Sequence, residues 1–161
     1  MPVEIERKFL VIGDGWRPDK PGQRYCQGYI SKGNATVRVR RVGEAAFLTI
    51  KGPPNGAVRA EFEYSIPVDH AEELLRNFCR KPLVEKIRHR ILFEGHCWFV
   101  DVFGGKHQGL VLAEIELDHL GETFKMPPWI GREVTNDRRY GNSSLSFRED
   151  PQMGPPLTVS N

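Results

Sequence analysis

Apolar and polar residues alternate with a period of two over eight separate stretches of the chain. Residues 4–11 set Glu4, Glu6 and Lys8 on one face and Ile5, Phe9 and Val11 on the other. Such alternation marks a half-buried β-strand, because successive side chains leave opposite faces of the pleat. The pattern returns at 25–31, with Gln27, Tyr29 and Ser31 against Gly28 and Ile30, and at 36–42, with Thr36, Arg38 and Arg40 against Val37 and Val39. Gly43, Glu44 and Ala45 then read as a short hairpin turn into 46–51, where Thr49 and Lys51 share a face with Leu48 and Ile50 behind them. Beyond a Gly-Pro-Pro-Asn-Gly loop, 59–66 presents Arg59, Glu61, Glu63 and Ser65 opposite Ala60, Phe62, Tyr64 and Ile66. Three further strands follow. Residues 84–92 align Lys86, Arg88 and Arg90, 98–103 places Asp101 with Phe99 and Phe103, and 111–118 aligns Leu112, Glu114, Glu116 and Asp118.

Helical periodicity is scarcer. Asp69 is the expected N-cap of a helix running to about residue 80, with Glu72 and Glu73 early and Leu74, Leu75 and Phe78 as its apolar stripe. Weaker helical patterns lie at 134–140 and 143–147, after Pro127, Pro128 and Trp129. The 16 glycines and 12 prolines among 161 residues agree with short elements joined by many turns. The expectation is a mainly β protein with a few helices (α+β). One domain is expected over 1–148, with a flexible tail over 149–161.

Composition narrows the field. With 23 Lys+Arg against 21 Asp+Glu the formal charge is only +2, which argues against a protein that coats nucleic acid along a whole basic face. Apolar runs stop at about four residues, as at 9–12, so neither a bilayer span of roughly 20 residues nor a secretory core is expected. Cys26, Cys79 and Cys97 are scattered and odd in number, which suits a reducing cytoplasm rather than a disulfide framework or zinc site. Self-association is not addressed by any of this, and a homodimer stays open.

Taken singly, each charged face is the solvated side of an antiparallel sheet. Eight such strands with large apolar faces and little helix to cover them favour closure into a barrel, which also removes the sheet edges. Alternation does not decide which face turns inward. If the charged faces do, the lumen gathers Glu4, Glu6, Glu61, Glu63, Asp101, Glu114 and Glu116 with Lys8, Arg38, Arg40, Lys51, Arg59, Lys86, Arg88 and Arg90. Like charges about 4 Å apart repel by roughly 4 kcal/mol at an effective dielectric near 20. Such a lumen needs interleaved signs and a guest to complete the neutralisation. Bases want a polyanion and grouped carboxylates want a hard divalent cation; a metal-bound phosphate chain satisfies both.

These residues carry a family resemblance. Glu4-Ile5-Glu6-Arg7-Lys8 is similar to the ExExK signature of the CYTH, or triphosphate tunnel metalloenzyme, superfamily. The similarity continues in order through Arg38-Val39-Arg40, Lys51, Glu61-Phe62-Glu63, Lys86-Ile87-Arg88, Asp101 and Glu114-Ile115-Glu116. It ends in residues 133–140, which resemble the family's closing helix. The resemblance implies an eight-stranded antiparallel β-barrel forming a charged tunnel that holds a triphosphate and one or two Mg2+ or Mn2+ ions. Length and Tyr29 on the second strand are similar to the small bacterial single-domain inorganic triphosphatase branch.

Lys8, Arg38, Arg40, Lys51 and Arg88 are assigned to gripping phosphate oxygens, as guanidinium forks and ammonium point charges suit them. Glu61, Glu63, Glu114 and Glu116 are the first choice for metal ligands, with Glu4 and Glu6 close behind, since carboxylates at i, i+2 enter one cavity. The resemblance adds a Tyr29–Lys86 pair in which the lysine assists the phenol as general base; a phenol that only donates a hydrogen bond, beside a phosphate-gripping lysine, is the other reading. Asp101 is auxiliary, orienting an arginine or metal-bound water. Arg59 and Arg90 read as solvated strand ends, Arg138 and Arg139 as helix-surface ion pairs, Trp98 and Trp129 as barrel exterior and helix packing. The five histidines form no metal cluster.

The expected function is therefore divalent-metal-dependent hydrolysis of the phosphoanhydride bond of inorganic triphosphate. Class IV-type adenylate cyclase, nucleoside or thiamine triphosphatase, and a non-enzymatic polyphosphate-binding module are the alternatives. A pure anion binder gains nothing from six grouped glutamates.

Overall fold

The computed structural model describes residues 2–147. Nine strands and two α-helices follow one another in these residues: β1 (Val3–Val11), β2 (Gln23–Lys32), β3 (Thr36–Val42), β4 (Ala45–Lys51), β5 (Val58–Ser65), α1 (Val68–Asn77), β6 (Val84–Phe93), β7 (His96–Phe103), β8 (Val111–Glu116), β9 (Ile130–Glu133) and α2 (Asn142–Phe147). Neighbouring strands run β5-β4-β3-β2-β6-β7-β8-β1, and β1 pairs back onto β5. The eight alternating stretches thus close into an antiparallel barrel. The expected tail over 149–161 lies outside the described residues.

Closure depends on β1 having two partners along one edge. Its start pairs with β5 (Glu4↔Arg59), while its end pairs with β9 (Phe9↔Glu133). The other edge pairs with β8 from Glu6 to Leu10, Glu6 facing Glu116 and Lys8 facing Glu114. β9 has no alternation to reveal it; the free end of β1's edge recruits it, and Arg7 forks onto Glu133 at 2.6 and 2.8 Å.

Three apolar clusters set which face turns in. Outside the wall, Phe9, Val11, Val100, Ala113 and Ile115 pack with Trp16, Trp98 and Trp129. Trp98 points out of the barrel as expected but is wholly buried, its ring meeting Phe124 and Trp129 edge-on at 5.6 and 5.8 Å. Trp129 belongs to the segment before β9, so it packs from a loop and not from a helix. A second outer cluster joins Val39 and Ala46 to Ala71, Leu75 and Cys79 of the α1 region. Gly28 makes that approach close: a Cβ there would stand 2.7 Å from Cys79 Cβ and Leu83 Cδ2. The third cluster fills one end of the lumen. Val84, Phe103 and Leu112 point inward and are capped by Val134, Tyr140 and Leu145.

The helices differ from expectation at their ends. α1 starts at Val68 with Pro67 as N-cap and no side-chain cap; Ala71 N–H reaches Pro67 O, leaving Asp69 in the first turn. Proline's fixed φ starts the helix early, and the Asp69 carboxylate meets the positive end of the helix instead of capping it. α1 stops at Asn77 because the chain then turns Cys79 into the core and ties Arg80 N–H to Tyr29 O. Residues 133–140 are not one closing helix. Glu133 ends β9, Arg138–Tyr140 forms a 3-10 turn, and α2 follows.

Candidate active site

Strand register decides which charges meet. Residues directly opposite on paired strands share a face, so inward positions form rows around the barrel. One row runs Tyr29↔Arg38↔Thr49↔Glu63 over β2 to β5, and the next joins Thr36, Lys51 and Glu61. On the far wall Arg88 faces Asp101. These inward faces enclose a cavity of about 530 Å3 whose wall carries seven carboxylates and seven bases.

Signs interleave at contact distance. Lys51 Nζ lies 3.1 Å from Glu4 and 3.2 Å from Glu61. Arg38 Nη2 reaches Glu63 at 3.3 Å and donates to Thr49 Oγ1, which donates in turn to Glu63. Arg38 is buried, and its Nε has no hydrogen-bond partner among the described residues. Lys8 Nζ donates to Tyr140 O at 3.2 Å and stands 3.7 Å from Glu114. Arg88 grips Asp101 through Nε and Nη2 at 2.7 and 2.9 Å and reaches Glu114 at 3.2 Å.

All but two of the expected site residues line this cavity: Tyr29, the five grip cations and the six glutamates. Lys86 and Asp101 are sealed behind Arg88, with Lys86 Nζ 2.8 Å from Asp101 Oδ2. Tyr29 Oη, for its part, accepts from Gln27 Nε2 at 2.9 Å. Two positions correct the sequence reading. Arg59 is not a solvated strand end: it lines the cavity, tied to Gly52 O and Thr36 Oγ1. Arg138 lines it too, whereas Arg139 is drawn aside by Asp137 at 2.7 Å. Arg90 stays outside, exposed, donating to Cys97 Sγ. Asp137, Asn142, Ser143 and Ser144 also reach the cavity. Asp137 lies on irregular backbone and the other three open the six-residue α2, too short a helix for a period to assign its polar residues a face.

Burial and crowding shape the charges. Burial first, then the neighbouring Glu114 and Glu4, pushes the Glu6 carboxyl well above the usual carboxylate range. Glu116 is raised by burial and by Glu4, Glu61 and Glu114. Burial opposes ionisation of Glu114 too, yet Arg88, Lys8 and Lys86 hold its carboxyl well below the ordinary value. Arg40 is lowered to about 10 by burial and by Arg38 and Arg88. Burial and Arg88 pull Lys86 down to about 7.

The donor set fits a hard divalent cation. It consists of carboxylate oxygens, and the crowding that raises Glu6 and Glu116 is a local excess of negative charge that such a cation relieves. No three acidic, histidine or cysteine side chains among the described residues form a ready cage. Glu4, Glu61, Glu63 and Glu114 are turned toward the opposing lysines and arginines.

Known proteins are similar to this chain in sequence and fold. The chain is 49% identical over 146 residues to an inorganic triphosphatase of Acetivibrio thermocellus, covering 90% of this chain and 94% of that one. An inorganic triphosphatase of Nitrosomonas europaea is 37% identical over 152 residues, covering 90% and 97%. A crystal structure of an inorganic triphosphatase superposes with a TM-score of 0.67 at 33% identity, covering 92% of this chain and 97% of that one. Residues 2–149, from the first barrel strand to just past α2, match the CYTH domain, and the chain belongs to that family.

Proposed function

We propose that the protein hydrolyses inorganic triphosphate to pyrophosphate and orthophosphate, with a divalent metal ion. One observation carries the reading: grip cations and carboxylates alternate around a single cavity of about 530 Å3. A linear anion of high charge density is the guest that neutralises such a wall. The inorganic triphosphatases of the two bacterial relatives support it.

Phosphoryl transfer needs positioning and charge neutralisation more than covalent help. Lys8, Arg38, Arg40, Lys51 and Arg88, all on the cavity wall, bind the phosphate oxygens. Glu61, Glu63, Glu114 and Glu116, with Glu4 and Glu6, would hold Mg2+ or Mn2+, which when bound neutralises phosphate charge and acts as a Lewis acid. Water adds to a terminal phosphorus, the bridging P–O bond breaks, and pyrophosphate leaves. Tyr29 Oη, on the cavity wall, is assigned to orienting that water and handling its proton. Lys86, held by Asp101 behind Arg88, serves by fixing that arginine's fork. The three cysteines are free, which supports a reducing compartment such as the cytoplasm.

Phosphate release from tripolyphosphate, followed colorimetrically with Mg2+ and with Mn2+, tests the proposal. Turnover that requires the metal is expected. Absence of release with every divalent ion overturns it, and cyclic AMP formed from ATP in the same panel moves the assignment to a lyase.

A further inference from the structure

Gln27 is wholly buried on β2, two residues before Tyr29 and directly across from Arg40 on β3. A buried primary amide must place one acceptor and two donors. Arg40 Nε donates to Gln27 Oε1 at 2.8 Å. A guanidinium has no acceptor, so this contact orients the amide: its oxygen faces Arg40 and its nitrogen faces the other way. On that side Nε2 donates to Tyr29 Oη at 2.9 Å. The phenol oxygen is therefore an acceptor toward Gln27, and its own O–H is directed elsewhere.

Arg40 and Tyr29 both line the cavity, while Gln27 lies behind them. Resting on the hydrolysis proposed above, we propose that Gln27 is a positioning residue: one amide fixes both the Arg40 guanidinium that grips phosphate and the Tyr29 oxygen that meets the attacking water. Burial makes the arrangement rigid, because turning the amide over would set an N–H against the Arg40 guanidinium, which has no acceptor. Arg40 thus bears on the phenol through Gln27, and Lys86 pairs with Asp101.

A double-mutant analysis reads the two arms separately. Gln27→Met removes both hydrogen bonds. Gln27→Glu is isosteric and still accepts from Arg40, but as a carboxylate has no N–H for Tyr29. Both should lower kcat for tripolyphosphate hydrolysis at least tenfold. In a Tyr29→Phe background, which has no phenol oxygen to position, the same substitutions should change kcat less than twofold. Calorimetric binding of tripolyphosphate reads the other arm without turnover. Gln27→Met should weaken it several-fold in the wild-type background and leave it unchanged in an Arg40→Ala background. Equal losses in every background, or none in any, overturn the inference. A wild-type chain that binds tripolyphosphate but releases no phosphate overturns the functional reading instead, and the binding cycle still tests the Arg40 arm.

Discussion

Lys86 puts an ammonium where water does not reach, and its partner Asp101 is shared with Arg88. Arg88 already neutralises that carboxylate, so burial prevails and Lys86 gives up its proton near pH 7. An unfolded chain holds the same proton to about pH 10.4. Between those values the unfolded state binds more protons, so this residue's contribution to stability rises with pH across the window and is flat below it. Urea unfolding at pH 7 and pH 9 should show wild type gaining on Lys86→Met over that interval. Parallel curves would remove Lys86 as the source. Glutamate and arginine roles separate in the same residue-by-residue way. Glu116→Gln should raise the Mg2+ concentration needed for half-maximal rate, and Arg40→Ala should raise KM for tripolyphosphate about tenfold or more; identical phenotypes would merge the two groups. The charged members of the site were legible because a charge at i, i+2 on a strand stands out against apolar neighbours. Gln27 shares the face of Tyr29 and carries no charge, so only its contacts reveal it.

At the scale of elements, alternation located all eight barrel strands, because period two survives wherever one face is charged and the other apolar. It failed for β9, whose four residues carry no pattern and whose place is set by the edge that β1 leaves free. It also failed along 133–140, where backbone bonds such as Val134 N–H to Lys8 O shape the chain more than local propensity does. α2 is short for a helix and depends on tertiary packing. Leu145 supplies it, fully buried among Val84, Phe103, Leu110 and Tyr140. Leu145→Ala should cost about 2–5 kcal/mol in urea unfolding. A loss well under 1 kcal/mol would mean that α2 is not part of the cooperative unit.

For the whole molecule, the near-balance of 23 bases and 21 acids conceals a sorted distribution, since equal numbers of each sign face one cavity. Closure itself was inferable from eight strands without cover; which face turned in was not, because alternation is symmetric. The tryptophan cluster outside and α1 settle it by covering the outer faces. A wall so charged is stabilised by whatever neutralises it, and a ligand at a hundred times its Kd adds about 2.7 kcal/mol. Thermal unfolding should therefore shift upward by several degrees with tripolyphosphate and Mg2+ together, and less with either alone. An unchanged melting temperature would mean that the cavity does not take up the pair.

The apolar plug of Val84, Phe103 and Leu112 under Tyr140 and Leu145 also bears on traffic. Apolar side chains offer a phosphate chain neither charge nor hydrogen bonds, so on the hydrolysis proposed above the charged traffic keeps to the parts of the cavity away from them.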